Sequence, residues 1–153
     1  MVDRQKLLTV CGEVVKPDVL SSGSHYYTKE ALEQAVRVFQ QGAAEGREIP
    51  VHKNYDIDKC QGVVKDISIS EDATVSATVD VLDTDCGKEV AALAREADEK
   101  LKLAWAVRGS YHTESVQVVD AVHEISEFTF TRDHSMDSDI NPVKIVDEES
   151  ESC

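Results

Sequence analysis

Apolar residues recur along this chain at two periods, and each period marks one kind of element. After Thr28 they fall at i, i+3, i+4 and i+7, the spacing of a helix that buries one face. These positions are Leu32, Ala35, Val36 and Phe39. Thr28 is a suitable N-cap because its hydroxyl can accept a hydrogen bond from a free amide of the first turn. Gly42 is predicted to end this helix.

The same spacing predicts a second helix, which starts at Thr84 or Asp85 and extends to about Glu99. Its apolar face consists of Val90, Leu93, Ala94 and Ala97.

Other segments alternate apolar and polar residues with a period of two, as half-buried strands do. The alternation is clearest at 75–81, and further strands are predicted at 7–15, 49–55, 62–69, 101–107, 116–122, 125–131 and 143–146. Two helices among so many short strands predict an α+β domain. Its centre would be a mainly antiparallel, strongly bent sheet or closed β-barrel, flanked by two or more helices.

The composition fits one domain, predicted at residues 1–146. The chain has 153 residues, of which 41% are apolar and 30% charged, enough for one hydrophobic core. Residues 147–153 are polar and acidic and are expected to form a disordered tail. Because the sequence lacks both a long apolar run and a signal-peptide pattern, a soluble protein made in the cytoplasm is expected.

Charge and cysteine content narrow the classes of partner and site. The net charge is −14, which opposes binding to a phosphate backbone, so nucleic acid is not expected as a partner. The four cysteines are scattered and form no Cys-x-x-Cys pair, so reduced thiols are expected.

Two patterns suggest a metal site, and each lacks a required residue. His123 begins a zinc-protease pattern, but Glu127 stands where the second histidine belongs. Asp137 begins a calcium-loop pattern, but Pro142 occupies the position that requires glycine. No metal or other cofactor is predicted.

The order of several short segments resembles that of a known family. Residues 49–53, Ile-Pro-Val-His-Lys, are similar to the family's strand with the catalytic histidine, and 101–109, Leu-Lys-Leu-Ala-Trp-Ala-Val-Arg-Gly, to its strand with the nucleophile. Matching segments also lie at 8–18, 27–32, 61–64, 77–84 and 125–135. Together they resemble phage prohead (procapsid) maturation proteases, serine proteases of the herpesvirus-assemblin type, over residues 7–146.

The resemblance implies roles for individual residues. His52 would be the general base, Glu127 the group that orients it, and Ala106 stands where the family has its nucleophilic serine. Backbone amides near Arg108 and Gly109 would stabilise the oxyanion, with the Arg108 side chain as a second candidate donor.

Alanine at position 106 removes the hydroxyl and leaves the strand pattern intact. By the period of two, Ala104, Ala106 and Arg108 share one face of their strand. Loss of the nucleophile lowers turnover by on the order of 10⁶ in a serine protease, so the chain as written should be nearly inert. Either a serine was replaced to prevent self-cleavage, or the protein is a naturally inactive relative. The presence of His52 and Glu127 favours replacement.

Alternatives remain for each assignment. Ser110 lies on the face of Arg108 and is a second candidate nucleophile. Some family members have the histidine three residues later, where this chain has Tyr55. A second histidine could replace Glu127 as the third member, and the candidates are His112, His123 and His134.

By resemblance, the function is capsid maturation. The protease would cleave scaffold and capsid proteins, and itself, inside the procapsid in the host cytoplasm. The resemblance implies no cofactor, and neither a membrane nor nucleic acid is expected as a partner. Association into homo-oligomers is left open. The alternative is a catalytically inactive protease-fold scaffold or capsid-assembly protein. An unrelated β-rich binding domain would be favoured if His52, Ala106 and Glu127 lay far apart.

Overall fold

The structure is a computed structural model that describes residues 6–17, 25–53, 62–96, 101–113, 117–131 and 142–146. These residues form eight strands and two helices. In chain order the elements are β1 (Lys6–Val15), β2 (His25–Tyr27), α1 (Lys29–Ala44), β3 (Pro50–Lys53), β4 (Gly62–Ile69), β5 (Val75–Leu82), α2 (Asp85–Arg95), β6 (Lys102–Thr113), β7 (Gln117–Thr131) and β8 (Lys144–Ile145). The predicted α+β class is confirmed.

One eight-stranded sheet contains all the described strands, and β7 pairs with three of them. Along one edge β7 pairs with β6, and along the other it pairs with β2 near its start and β3 near its end. From β3 the sheet continues through β4, β5 and β1 to β8. Only the pairings of β2 and β3 with β7 are parallel among these, so the sheet is mainly antiparallel, as predicted.

The segment 142–146 connects the two ends of the curled sheet. Val143 donates its amide to the carbonyl of Leu101, just before β6, and Val146 donates to Thr9 in β1, both at 2.9 Å. Close packing supports this contact, because a Cβ atom added to Gly12 would lie 2.9 Å from Val143 Cγ1. The sheet therefore curls into a half-barrel, and residues 142–146 bring its two ends together.

Helix α1 begins as predicted and ends later. The Thr28 hydroxyl accepts the amide of Ala31 at 3.1 Å, and the four predicted apolar positions are buried. The prediction that Gly42 ends the helix was wrong, because Gly42 lies on the buried face and α1 continues to Ala44. The backbone reverses at Gly46, where φ is 82°, a conformation that glycine adopts readily.

Helix α2 is capped by Thr84, whose hydroxyl accepts the amide of Gly87 at 2.9 Å. Val90 and Ala94 are buried as expected, Ala91 is buried in addition, and Leu93 packs against the core while partly exposed. The helix ends at Arg95 rather than near Glu99. Ala97, predicted on the apolar face, lies outside the described residues.

Strand β7 covers two segments that the sequence predicts as separate strands. Its pairing with β6 contains three register shifts, which fall at Asp120, His123 and Ser126 of β7. Such β-bulges place two residues opposite one and break the period of two. The interrupted alternation around His123 therefore marks a bulge within one strand. The short strand β2 was not predicted.

The cysteines differ from expectation. Cys11, which is fully buried, is disulfide-bonded, whereas Cys86 is free. The predicted reduced state is wrong for Cys11, because spacing along the chain does not show which thiols the fold brings together. Neither described helix is long and apolar enough to cross a membrane. The tail at 147–153 lies outside the described residues.

Candidate active site

Three neighbouring strands bring the predicted catalytic positions to one face of the sheet. His52 on β3 pairs with Thr129 on β7, and Glu127 on β7 pairs with Ala106 on β6. Paired residues on adjacent strands point to the same face, and residues two apart on a strand share a face. His52, Glu127 and Ala106 therefore lie on one face. The opposite face of these strands packs in the hydrophobic core, to which it contributes Val51, Phe128 and Trp105.

The aromatic packing behind this face holds β6 and β7 in place. Trp105, adjacent to Ala106 in sequence, donates its indole N–H to the Tyr27 hydroxyl at 3.1 Å. Its ring meets Phe128 nearly edge-on, with centroids 6.0 Å apart. Because both partners are large and buried, the backbone beneath Ala106 and Glu127 is firmly packed.

His52 and Glu127 form a shielded pair. Nε2 of His52 lies 3.4 Å from Oε2 of Glu127, and the side chains are only 7% and 15% exposed. Nδ1 of His52 is buried and has no hydrogen-bond partner among the described residues. One ring nitrogen thus faces a carboxylate while the other is unengaged. A general base oriented by an acid requires this division of the two nitrogens.

Position 106 adjoins this pair. Directly opposed residues of antiparallel strands have Cβ atoms about 5 Å apart, which places the Ala106 methyl next to the base of the Glu127 side chain. Ala106 is partly buried, and Ala104, opposite Thr129, is fully buried. The position next to the imidazole–carboxylate pair is thus occupied by a methyl group.

Arg108 and Gly109, the predicted oxyanion residues, follow Ala106 on β6. The Arg108 side chain is 80% exposed, and its Nε lies 3.7 Å from Oε2 of Glu124 on β7. Gly109 pairs with Val122 beside a bulge. Their oxyanion role stays a prediction.

Gly109→Ala is expected to destabilise the fold by about 3 kcal/mol, at the upper end of ordinary overpacking. A Cβ atom at this position would overlap the carbonyl oxygen of Ala121, so the two strands would have to separate. Urea denaturation measures the loss. The control is Ser110→Ala at the next, exposed position, which should change stability by less than about 0.5 kcal/mol. Equal stability of the two variants would contradict the close approach.

The alternative nucleophile, Ser110, is associated with a different histidine. Its Oγ lies 3.2 Å from Nε2 of His123, and both side chains are exposed. Ser110 lies four positions after Ala106 along the strand, a distance of roughly 13 Å at 3.3 Å per residue. The described structure therefore keeps Ser110 apart from the His52–Glu127 pair.

Two of the remaining alternatives, His112 and His123, lie on parts of β6 and β7 that are remote from His52. His112 pairs with Val118 at the far end of β6, and His123 contacts Ser110. Tyr55 and His134 lie outside the described residues.

Sequence reasoning missed Thr129. This residue is fully buried, and its hydroxyl donates to the carbonyl oxygen of His52 at 3.3 Å. The signal was present, since Glu127, Thr129 and Thr131 form a polar series that alternates with buried phenylalanines. Antiparallel strands commonly have one polar face, and the unusual feature here is that Thr129 and Thr131 are buried.

In the turn between β4 and β5, hydrogen bonds from Ser70 and then Thr74 lower the pKa of Asp72. Within the described ranges, no three His, Cys, Asp or Glu side chains cluster as metal ligands would.

Comparison with known proteins finds a similar solved structure. No family model and no curated protein matches the chain. Among solved structures, the bacteriophage T4 capsid assembly protease gp21 aligns with 85% of this chain and 89% of its own, at a TM-score of 0.64 and 17% identity. The chain shares the fold of that protease. This likeness confirms the fold that the resemblance to prohead proteases implies, and the residue roles stay predictions.

Proposed function

We propose that this chain is a serine endopeptidase of viral capsid maturation in which alanine occupies the position of the nucleophile. The observation that carries the proposal is the shielded His52–Glu127 pair, 3.4 Å apart, with Ala106 directly opposite Glu127. The fold that it shares with a phage capsid assembly protease supports the same function.

The proposed chemistry assigns one task to each position. With serine at position 106, His52 takes the hydroxyl proton as the oxygen attacks a peptide carbonyl, and Glu127 stabilises the imidazolium that forms. Amides near Arg108 and Gly109 stabilise the oxyanion. The C–N bond then breaks as His52 returns the proton to the leaving amine, and water hydrolyses the resulting ester by the same route.

The proposed substrates follow from the resemblance. They are scaffold and capsid proteins, together with the protease chain itself. The proposed location is the interior of the procapsid in the host cytoplasm. Neither nucleic acid nor a membrane takes part in this proposal, and association with further copies of the chain is compatible with it.

A second candidate is a catalytically inactive scaffold or capsid-assembly protein that keeps the protease fold. The methyl group at position 106 favours it, since alanine supplies no hydroxyl that His52 could activate at this position. The two candidates differ in whether His52 can activate a nucleophile placed at this position.

Ala106→Cys tests this difference without a peptide substrate. If His52 activates position 106, the pKa of the introduced thiol falls below the usual value of about 8.5. Its alkylation by iodoacetamide at pH 6.5 should then be at least about tenfold faster than that of Ala104→Cys. Mass spectrometry of peptides separates both sites from Cys86, and His52→Gln should abolish the difference. Equally slow alkylation at both positions would favour the scaffold candidate.

A further inference from the structure

His52 lies on the short strand β3, which pairs with β7 along one edge. The four residues of β3 pair with β4 only at Pro50 and Val51, so in the described structure the ladder with β4 ends before His52. On the other side, β3 pairs with β7 at Val51, His52 and Lys53. The described pairing that includes His52 is therefore the ladder with β7.

Thr129 adds a side-chain bond to this ladder at the position of His52. Its hydroxyl donates to the His52 carbonyl at 3.3 Å, and the carbonyl of Phe130 on its own strand lies at 3.4 Å. A buried hydroxyl requires an acceptor, and the carbonyl of Phe130 would satisfy that requirement without fixing β3. The bond to His52 instead links the histidine strand to the strand that carries Glu127.

We propose that Thr129 is a positioning residue that holds His52 beside Glu127 through the bond from its hydroxyl to the His52 carbonyl. The proposal rests on the proposed function for its catalytic meaning, whereas the coupling of Thr129 to His52 does not require activity. Glu127 and Thr129 lie two positions apart on β7 and point to the same face. His52 is paired with Thr129, so a slip of β3 along β7 would move the imidazole away from the Glu127 carboxylate.

Thr129→Val tests the proposal, because valine keeps the β-branched shape and removes the hydroxyl. The matched control is Thr131→Val, also buried, on the same strand and face, and two residues further along. In the chain with Ala106, the nuclear magnetic resonance signal of the His52 ring Cε1–Hε1 group should shift in Thr129→Val and stay in place in Thr131→Val. Thr129→Ser, which restores the hydroxyl, should return the signal towards its original position.

Activity provides the second readout, in the Ala106→Ser background. Labelling of the serine by a fluorophosphonate should be about 10- to 100-fold slower with Thr129→Val, the size expected when a catalytic group is misplaced by about 1 Å. The pH dependence of labelling should also change, whereas Thr131→Val should leave both rate and profile intact. If Thr129→Val does not fold, Thr129→Cys, a much weaker donor of similar size, takes its place with the same expectation.

The outcomes separate the two proposals. No labelling of Ala106→Ser at all would overturn the proposed function, and the His52 signal would still decide the role of Thr129. An unshifted His52 signal in Thr129→Val, or equal shifts in both valine variants, would overturn the positioning role. If Ala106→Ser is labelled and Thr129→Val does not slow the labelling, the positioning role is also overturned.

Discussion

Ala106→Ser is expected to convert a nearly inert chain into an active endopeptidase, with a gain on the order of 10⁶ in turnover. The substitution adds one oxygen atom on a partly buried strand position beside Glu127, where His52 lies 3.4 Å from the carboxylate. Two measurements check it, namely self-cleavage on expression, seen as a change of mass, and covalent labelling of the purified chain by a fluorophosphonate.

Ala104→Ser provides the matched control for this gain. It adds the same hydroxyl on the same strand and face, opposite Thr129 instead of Glu127, so it should give neither cleavage nor labelling. Labelling of the unsubstituted chain at Ser110 would instead support the exposed Ser110–His123 pair. If the Ala106→Ser chain keeps its mass and is not labelled by the fluorophosphonate, the proposed protease function is wrong and the scaffold candidate remains.

His52→Gln in the Ala106→Ser background is expected to remove nearly all of the restored activity, a loss on the order of 10⁴ to 10⁶. The loss of a base is almost as damaging as the loss of a nucleophile, because the two act as one unit. Glutamine has no nitrogen that can take up the serine proton. Labelling rates measured over several hours resolve so large a difference.

Two further variants show whether the effect is specific to His52. Glu127→Gln should lower the rate by on the order of 10⁴, since it removes the charge that stabilises the imidazolium. His123→Gln, which alters the exposed histidine beside Ser110, should leave the rate within about twofold. Unchanged labelling in His52→Gln, or equal losses in both histidine variants, would contradict the assigned base.

Much of the fold could be predicted because its signals are local. The N-caps Thr28 and Thr84 and the period of α1 depend only on neighbouring residues, and the structure has both helices starting where expected. The end of α1 was misplaced because Gly42 fits within a buried helix face as well as it would fit a stop, and only the fold shows which applies.

The candidate site was predicted through three positions taken from a resemblance. Period-two geometry could assign Ala106 a face on β6, but it could not show which strand lies beside β6. In the sheet, Thr129 on β7 lies between His52 on β3 and Ala104 on β6. This arrangement joins segments that are more than 20 residues apart in the chain. The hydrogen bond of Thr129 to His52 was missed for this reason.

Sequence alone was enough to predict the α+β class, the caps and buried faces of the helices, and the alternation that marks most strands. These follow from periods of 3.6 and 2, which are properties of a local stretch of backbone. The folded structure was needed to show that β7 is one bulged strand between β3 and β6, that Cys11 is disulfide-bonded, and that the His52 ring contacts the Glu127 carboxylate. Pairing and register depend on contacts between remote segments, and a local pattern carries no information about which segments meet.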